Sequence, residues 1–196
     1  MADRKIYLAS RSPRRSELLQ QIGVEFEVLA PDVNESPLPR EAPTDYVRRI
    51  TRIKAEVGWM QVVERKLPRR PLLAADTAVA LGRRILGKPA DRSEAVEMLK
   101  MLSGARHRVH TAVAVVLDGR LELALSTTAV RFRELSEREI RHYVAGGEPL
   151  DKAGAYAIQG RAAAFIAGIE GSYSGVMGLP LYETALLLAQ FGLEVL

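Results

Sequence analysis

A mixed α/β fold, one β-sheet with helices packed on its faces, is what this sequence predicts, and three observations predict it. Apolar runs of strand length alternate with helical periods along the chain. Residues 72–81 are apolar almost throughout, lack a helical period and are bounded by Pro71 and Gly82, the mark of a strand buried on both faces. Residues 108–117 and 120–126 flank Asp118-Gly119, a type I′ pair, so one β-hairpin is inserted among the crossovers.

The elements follow in order. Residues 6–9 form a short first strand. Ser12 is placed as an N-cap and Pro13 as N1 of a helix with Leu18, Leu19 and Ile22 on one face and Gly23 at its stop. Residues 24–28 alternate apolar and charged, a half-buried strand. A proline-studded loop, 31–43, carries Asp32, Asn34 and Glu35. The next helix runs from about Thr44 to Glu64 on an apolar stripe of Val47, Ile50, Ile53 and Val57. After residues 72–81 the chain turns at Gly82 and returns through residues 85–89. Asp91 and Glu94 make a capping box for a helix that buries Ala95, Met98, Leu99 and Leu102 and ends at Gly104. The hairpin's second strand extends its pairing to Phe132. Ser136 and Glu139 open another helix, which stops at Gly146-Gly147. Residues 148–160 form a loop rich in small side chains. Residues 162–169 read as a strand and 171–175 as a flexible loop. Leu179-Pro180 starts the last helix, with residues 185–188 as core, and residues 193–196 add an edge strand.

Composition narrows the function. A net charge of +4, with Arg and Glu mixed along most helices, suits an anionic small molecule as well as RNA and lacks the clustered stripe of a nucleic-acid binder. The chain has no cysteine, which excludes disulfides, thiolate catalysis and cysteine–zinc sites. Three histidines, His107, His110 and His142, are too sparse for a histidine metal site. No stretch approaches the roughly 20 apolar residues of a membrane span, and the apolar run after Lys5 is too short for a secretory signal. A cytoplasmic protein without a membrane partner is the expectation.

Three features carry chemistry. Residues 8–15, Leu-Ala-Ser-Arg-Ser-Pro-Arg-Arg, place free backbone N–H groups, the hydroxyls of Ser10 and Ser12 and the guanidiniums of Arg14 and Arg15 in one turn, a site for phosphate. A helix terminus contributes only about 0.3–1 kcal/mol to an exposed anion, so side-chain cations must supply most of the binding. Lys54 lies inside an apolar helix stripe, either snorkelling past the core edge or pointing into a cleft. Asp76 stands in the middle of a buried strand, where an unpaired carboxylate costs several kcal/mol, so a metal, a cation or a bend must compensate. A strand-end aspartate bonded to backbone N–H groups is the plainer alternative.

With these residues in view, the chain resembles the Maf proteins, nucleoside triphosphate pyrophosphatases. The likeness covers nearly the whole chain. It rests on Leu8-Ala9-Ser10-x-Ser12-Pro13-Arg14-Arg15, Glu35, Lys54-Ala55, Ala75-Asp76-Thr77, Lys88-Pro89, Asp151-Lys152-Ala153-Gly154-x-Tyr156-x-Ile158-Gln159-Gly160 and Gly178-Leu179-Pro180-Leu181. Asp76-Thr77, the 151–154 stretch and Gln159 look like the branch acting on dTTP and UTP rather than that acting on 7-methyl-GTP. The resemblance implies a single domain, residues 1–196, of two lobes, similar to the inosine triphosphate pyrophosphatase fold, with substrate in the cleft between them. It implies hydrolysis between the α and β phosphates with a divalent cation. Asp76 matches the catalytic base, and Arg14, Thr77 and Gln159 match positions associated with substrate choice.

From this follow the expected roles. Glu35 and Asp76 hold Mg²⁺ or Mn²⁺, and Asp76 accepts a proton from water, binds the metal, or does both. Ser10, Arg14, Arg15, Lys54, Lys88 and Lys152 surround the phosphates. Thr77 and Gln159 offer hydrogen bonds to a pyrimidine. The partner is a nucleoside triphosphate, with no stable nucleic-acid partner, and a homodimer is the working expectation. The rival is a nucleic-acid-binding or cell-division regulatory protein without turnover; it needs a basic stripe interleaved with aromatics, and aromatics are only 6% of residues. A nucleotidyltransferase usually carries a glycine-rich loop after its first strand, and no glycine lies between Leu8 and Gly23. No P-loop pattern occurs, which excludes that kinase class.

Overall fold

Alternating strands and helices fold as expected into a sheet covered by helices. The structure is a computed structural model and describes residues 5–195. Strand β1 (Ile6–Leu8) lies parallel to β2 (Phe26–Val28) and to β3 (Leu72–Leu81). Antiparallel to β3 run β4 (Arg84–Leu86) and β5 (Arg106–Leu117); β6 (Arg120–Phe132) pairs with β5, and β7 (Ile166–Glu170) with β6. The sheet of seven strands has the order β2-β1-β3-β5-β6-β7, with β4 beside β3. Asp118 and Gly119 both take positive φ, 50° and 84°, which the type I′ hairpin turn requires.

The helices are α1 (Pro13–Gln21), α2 (Pro43–Glu64), α3 (Arg92–Leu102), α4 (Glu137–Ala145), α5 (Tyr173–Met177) and α6 (Leu181–Gln190). Strand alternation sorts their packing. Leu73, Ala75, Val113 and Val115 meet Leu18 and Leu19 of α1 and Leu187 and Leu188 of α6 on one face. Leu72, Ala74, Ala114 and Val116 meet Ala55 and Val62 of α2 on the other. A further core, at the far end of the long strands, sets Leu99, Leu102, Ile140 and Tyr143 of α3 and α4 against Val79, Leu86 and Phe132.

One irregularity positions the site. β1 pairs with β3 only at Leu72 and Leu73, and β4 joins β3 only from Val79 onward. Between them, residues 74–78 of β3 are paired on the β5 side and have no strand neighbour on the other among the described residues. Asp76 and Thr77 fall in that gap.

Five expectations change. Residues 161–165 form a 3-10 turn and the strand begins at Ile166. Ala162 and Phe165 are buried while Ala163 and Ala164 are exposed, a three-residue period that a run of small residues conceals in sequence. Residues 173–177 are helix α5 rather than loop, because the Ser172 hydroxyl caps Gly175 N–H at 2.9 Å and Gly178 ends the turn at φ 119°. Within α6, Leu186 is 50% exposed, since helical geometry turns it away from Thr184, Leu187 and Leu188. Residues 193–195 form no strand; Leu193 N–H bonds Leu188 O past the left-handed Gly192, and its side chain packs on the core. Leu196 lies outside the described residues. Finally, Asp91 caps Glu94 N–H, but the Glu94 carboxylate accepts from Ala90 N–H, one residue before the expected box partner. Ser136 and Glu139 do form the reciprocal box.

Candidate active site

A cleft of about 840 Å³ opens at the gap in β3, within the range of small-molecule sites. Its wall is formed by residues 9–15 from the β1–α1 junction, by Glu35 and Lys54, by Lys88 after β4, by residues 151–159 and by the end of α5. Every residue expected at the site lines it: Ser10, Arg14, Arg15, Glu35, Lys54, Asp76, Thr77, Lys88, Lys152 and Gln159.

Asp76 faces α2. Its side chain is 8% exposed, and its Oδ1 accepts a hydrogen bond from Lys54 Nζ at 2.7 Å. The same ammonium lies 2.7 Å from Glu35 Oε1. Lys54 therefore points into the cleft, and its place in the apolar stripe of α2 puts it beneath the sheet gap. Burial raises the Asp76 pKa above its ordinary value; the Lys54 and Arg15 charges oppose this, and burial prevails. Glu35 is brought over Lys54 by a loop pinned to α2. Tyr46 donates its hydroxyl to Glu35 O at 3.0 Å, and Arg49 donates to Ser36 O at 3.1 Å while pairing with both oxygens of Glu41. Burial, with Asp76 and Glu35 nearby, pushes the Tyr46 phenol up to about 12, so it remains a donor.

Thr77 faces the other side of the sheet, toward α1. Arg15, only 9% exposed, donates Nε to Gly178 O at 2.7 Å, Nη1 to Ser10 Oγ at 3.0 Å and Nη2 to Thr77 Oγ1 at 3.3 Å. Arg15 thus ties the β1–α1 junction to β3 and to the end of α5. A guanidinium has five N–H donors, so two remain for a ligand. Ser12 is the N-cap of α1 with Pro13 at N1, as expected, but its hydroxyl makes no cap. The first intrahelical bond is from Ser16 N–H to Ser12 O, which leaves the N–H groups of Arg14 and Arg15 outside the helix's own bonding.

The remaining cations divide sharply. The side chains of Arg14 and Lys88, like the neutral amide of Gln159, make no hydrogen bond or ion pair with the described residues, and all three line the cleft. Lys152 is anchored, its Nζ bonding Glu148 O at 2.9 Å and Asp151 Oδ1 at 2.6 Å. Its loop is held from below: Glu148 accepts from the Tyr143 hydroxyl at 2.9 Å and from Arg161 N–H at 3.1 Å.

For a metal, the described residues gather no cluster of three or more acidic or histidine side chains. Glu35 and Asp76 nevertheless suit a hard cation, both being carboxylates that already converge on one positive group. Mg²⁺ commonly takes only one or two carboxylates and completes its shell with water and substrate phosphate, so the donor set fits.

Sequence reasoning missed Thr111 and Tyr46, and it quoted Gly178 only as part of a motif, without a role. Thr111 lies opposite Thr77 in the β3–β5 register, and only that register brings their hydroxyls within 2.9 Å.

Fold and site together define an α/β protein with a buried carboxylate–lysine pair at the foot of a cationic cleft. Among known families, the model described as Maf-like protein matches residues 5–191, and the chain belongs to the Maf family. It is 58% identical over 198 residues to the dTTP/UTP pyrophosphatase of Nitrosomonas europaea, covering 97% of this chain and 96% of the relative. It is 55% identical to the enzyme of that name from Nitrosospira multiformis, with 98% and 97% covered, and 53% identical to that from Albidiferax ferrireducens, with 97% and 98% covered. A solved structure, that of the Staphylococcus aureus Ham1 protein, is similar over 82% of this chain and 90% of that one at 14% identity and a TM-score of 0.48. Among the described residues no helix is long and apolar enough to cross a membrane.

Proposed function

We propose that this protein is a nucleoside triphosphate pyrophosphatase acting on dTTP and UTP, cleaving between the α and β phosphates to release the nucleoside monophosphate and pyrophosphate. The observation that carries this reading is the buried carboxylate of Asp76 at the foot of a cleft rimmed by Arg14 and Lys88, whose side chains have no partner among the described residues. The relatives' names support the choice of pyrimidine substrates. Modified pyrimidine nucleotides of the same shape belong to the same proposed class.

The residues divide the work. A triphosphate repels an incoming water, so charge neutralisation and positioning dominate the barrier. Arg14, Lys88, Lys152 and the two uncommitted N–H groups of Arg15 meet the phosphates, and Ser10 adds a hydroxyl. Asp76 takes the proton of the attacking water; burial, by raising its pKa, makes it a stronger base than a solvated aspartate. Lys54 holds that carboxylate and Glu35 in place, with a third N–H left for a phosphate oxygen. Glu35 and Asp76 would hold Mg²⁺ or Mn²⁺, which when bound would supply positive charge against the phosphates and acidify water. Gln159 and Thr77 read the base, and a small base pocket disfavours purines by shape.

The same reading takes the chain as one domain of two lobes closing on this cleft, cytoplasmic, with no stable nucleic-acid partner and a homodimer as its assembly. The test is initial rates of pyrophosphate release from dTTP, UTP, CTP, ATP and GTP with Mg²⁺ or Mn²⁺. Rates for dTTP and UTP at least tenfold above those for the purines are expected. Equal turnover of all five removes the pyrimidine assignment, and no release from any removes the enzyme.

A further inference from the structure

A chain of hydroxyls crosses the sheet beneath the cleft, and its direction is fixed by what its ends can do. Thr111 is 1% exposed and donates its hydroxyl proton to Gly175 O at 2.7 Å. A carbonyl cannot donate, and threonine has one hydroxyl proton. The 2.9 Å contact between Thr111 Oγ1 and Thr77 Oγ1 must therefore run from Thr77 to Thr111. At its other side Thr77 accepts from Arg15 Nη2 at 3.3 Å, and a guanidinium only donates. The order is Arg15 to Thr77 to Thr111 to Gly175, with every proton assigned. Thr77, half-buried at the cleft wall, keeps one lone pair and no proton for a ligand.

We infer that Thr111 sets the hydrogen-bonding polarity of Thr77, making it an acceptor toward the cleft that selects nucleobases presenting a ring N–H. Thr111 is a positioning residue in this role, since it acts only through Thr77. The inference rests on the pyrimidine reading above, with Thr77 beside the base. Its chemistry is specific. Uracil and thymine carry a hydrogen on N3, which an acceptor-only hydroxyl can meet. Cytosine presents a lone pair at N3, and facing it with a second acceptor leaves both unpaired in a partly desolvated site. Shape excludes purines, whereas polarity separates uracil and thymine from cytosine, which shape alone cannot do. The line of donors also explains why a buried strand tolerates two threonines face to face. The hydrogen bonds of Thr77 and Thr111 run inside the protein, from α1 through β3 and β5 to α5.

The test is the ratio of kcat/KM for UTP over CTP in the unmodified enzyme and in Thr111→Val and Thr111→Ser. Valine keeps the branched shape and removes both the donor to Gly175 and the acceptor for Thr77. The Thr77 proton is then free to turn into the cleft and meet cytosine N3. A fall of tenfold or more in the ratio is expected for Thr111→Val, carried partly by a gain on CTP, with recovery in Thr111→Ser. Loss of activity on both nucleotides with the ratio intact, in a folded Thr111→Val protein, overturns the inference. If Thr111→Val does not fold, Thr77→Val decides: UTP turnover falls without a rise for CTP, and an unchanged UTP/CTP ratio overturns the inference. An unmodified enzyme that turns over CTP as well as UTP but neither purine overturns the inference and leaves the pyrimidine reading standing, whereas equal turnover of ATP and GTP removes that reading and the inference with it.

Discussion

The ammonium of Lys54 lies 2.7 Å from Asp76 Oδ1 while Asp76, in the middle of an otherwise apolar strand, keeps a side-chain exposure of only 8%. Isolated, either charge would cost several kcal/mol at this depth. Together they fix a carboxylate where β3 has no strand neighbour on its outer side among the described residues, and the cleft supplies the opening.

Replacing Asp76 with Asn removes the proton acceptor and retains the acceptor oxygen for Lys54, which still has Glu35. Turnover falls by about 10²–10⁴-fold or more, the range of a lost general base. Stability changes by no more than about 1 kcal/mol, because ionised Asp76 is already disfavoured by burial. Pyrophosphate release and a thermal melt on the same sample check both halves.

Lys54→Met gives the opposite stability result. It leaves Asp76 buried without its cation, at a loss of about 3–5 kcal/mol at neutral pH. The sign with pH follows from the raised Asp76 pKa. The native state binds this proton more tightly than the unfolded chain, so ionising Asp76 lowers stability as pH rises through the native value. Lys54 opposes that rise, and its removal moves the native value higher still. The deficit of Lys54→Met therefore shrinks on acidification, and the acid limb of kcat/KM shifts to higher pH. Urea titrations at several pH values, beside a pH–rate profile, measure both.

Adjacent arginines separate binding from stability. Arg14→Ala removes no side-chain bond to the described residues, so stability stays within about 0.5 kcal/mol of the original while KM rises roughly tenfold, or 1.4 kcal/mol. Arg15→Ala leaves Gly178 O, Ser10 and Thr77 without their donor and lowers stability by about 2–3 kcal/mol. A KM change without a melting change in Arg15→Ala contradicts the placement of this side chain.

His107 supplies a stability switch one hydrogen bond behind the cleft wall. It is 1% exposed among Phe132 and Tyr156, its Nε2 lies 2.8 Å from the Tyr156 hydroxyl and its Nδ1 has no partner among the described residues. Burial lowers its pKa from 6.5 to about 4. The neutral ring belongs to the fold, so its contribution is complete above pH 6.5 and is lost as pH falls from 6.5 toward 4, amounting to about 3 kcal/mol. His107→Gln flattens stability across that window, which chemical denaturation at pH 7, 5.5 and 4.5 detects.

Much of this was readable from residues alone, and the boundary is physical. Asp76 stood out because one carboxylate interrupts a run that otherwise wants no water, and Lys54 because a cation interrupts a helix stripe. Both anomalies are local, and each turned out to explain the other. Hairpin, capping residues and the helix stop at Gly104 were legible for the same reason, since each depends on a few adjacent residues. Thr111 was not legible, because its meaning depends on lying opposite Thr77 across two strands, and a one-residue slip would send it to the other face. Arg15 and Arg14 look alike in sequence, yet one is buried and triply bonded while the other is open to the cleft. Residues 161–165 concealed a three-residue period among small side chains that fit a strand as readily.

The most direct measurement of the central claim is the product of UTP turnover by the unmodified protein and by Asp76→Asn, with Mg²⁺ present and products separated by chromatography. UMP and pyrophosphate in equal amounts from the unmodified protein, with at least a hundredfold loss in Asp76→Asn, is the predicted result. UDP and inorganic phosphate, or UMP and pyrophosphate formed at equal rates by both proteins, would contradict it.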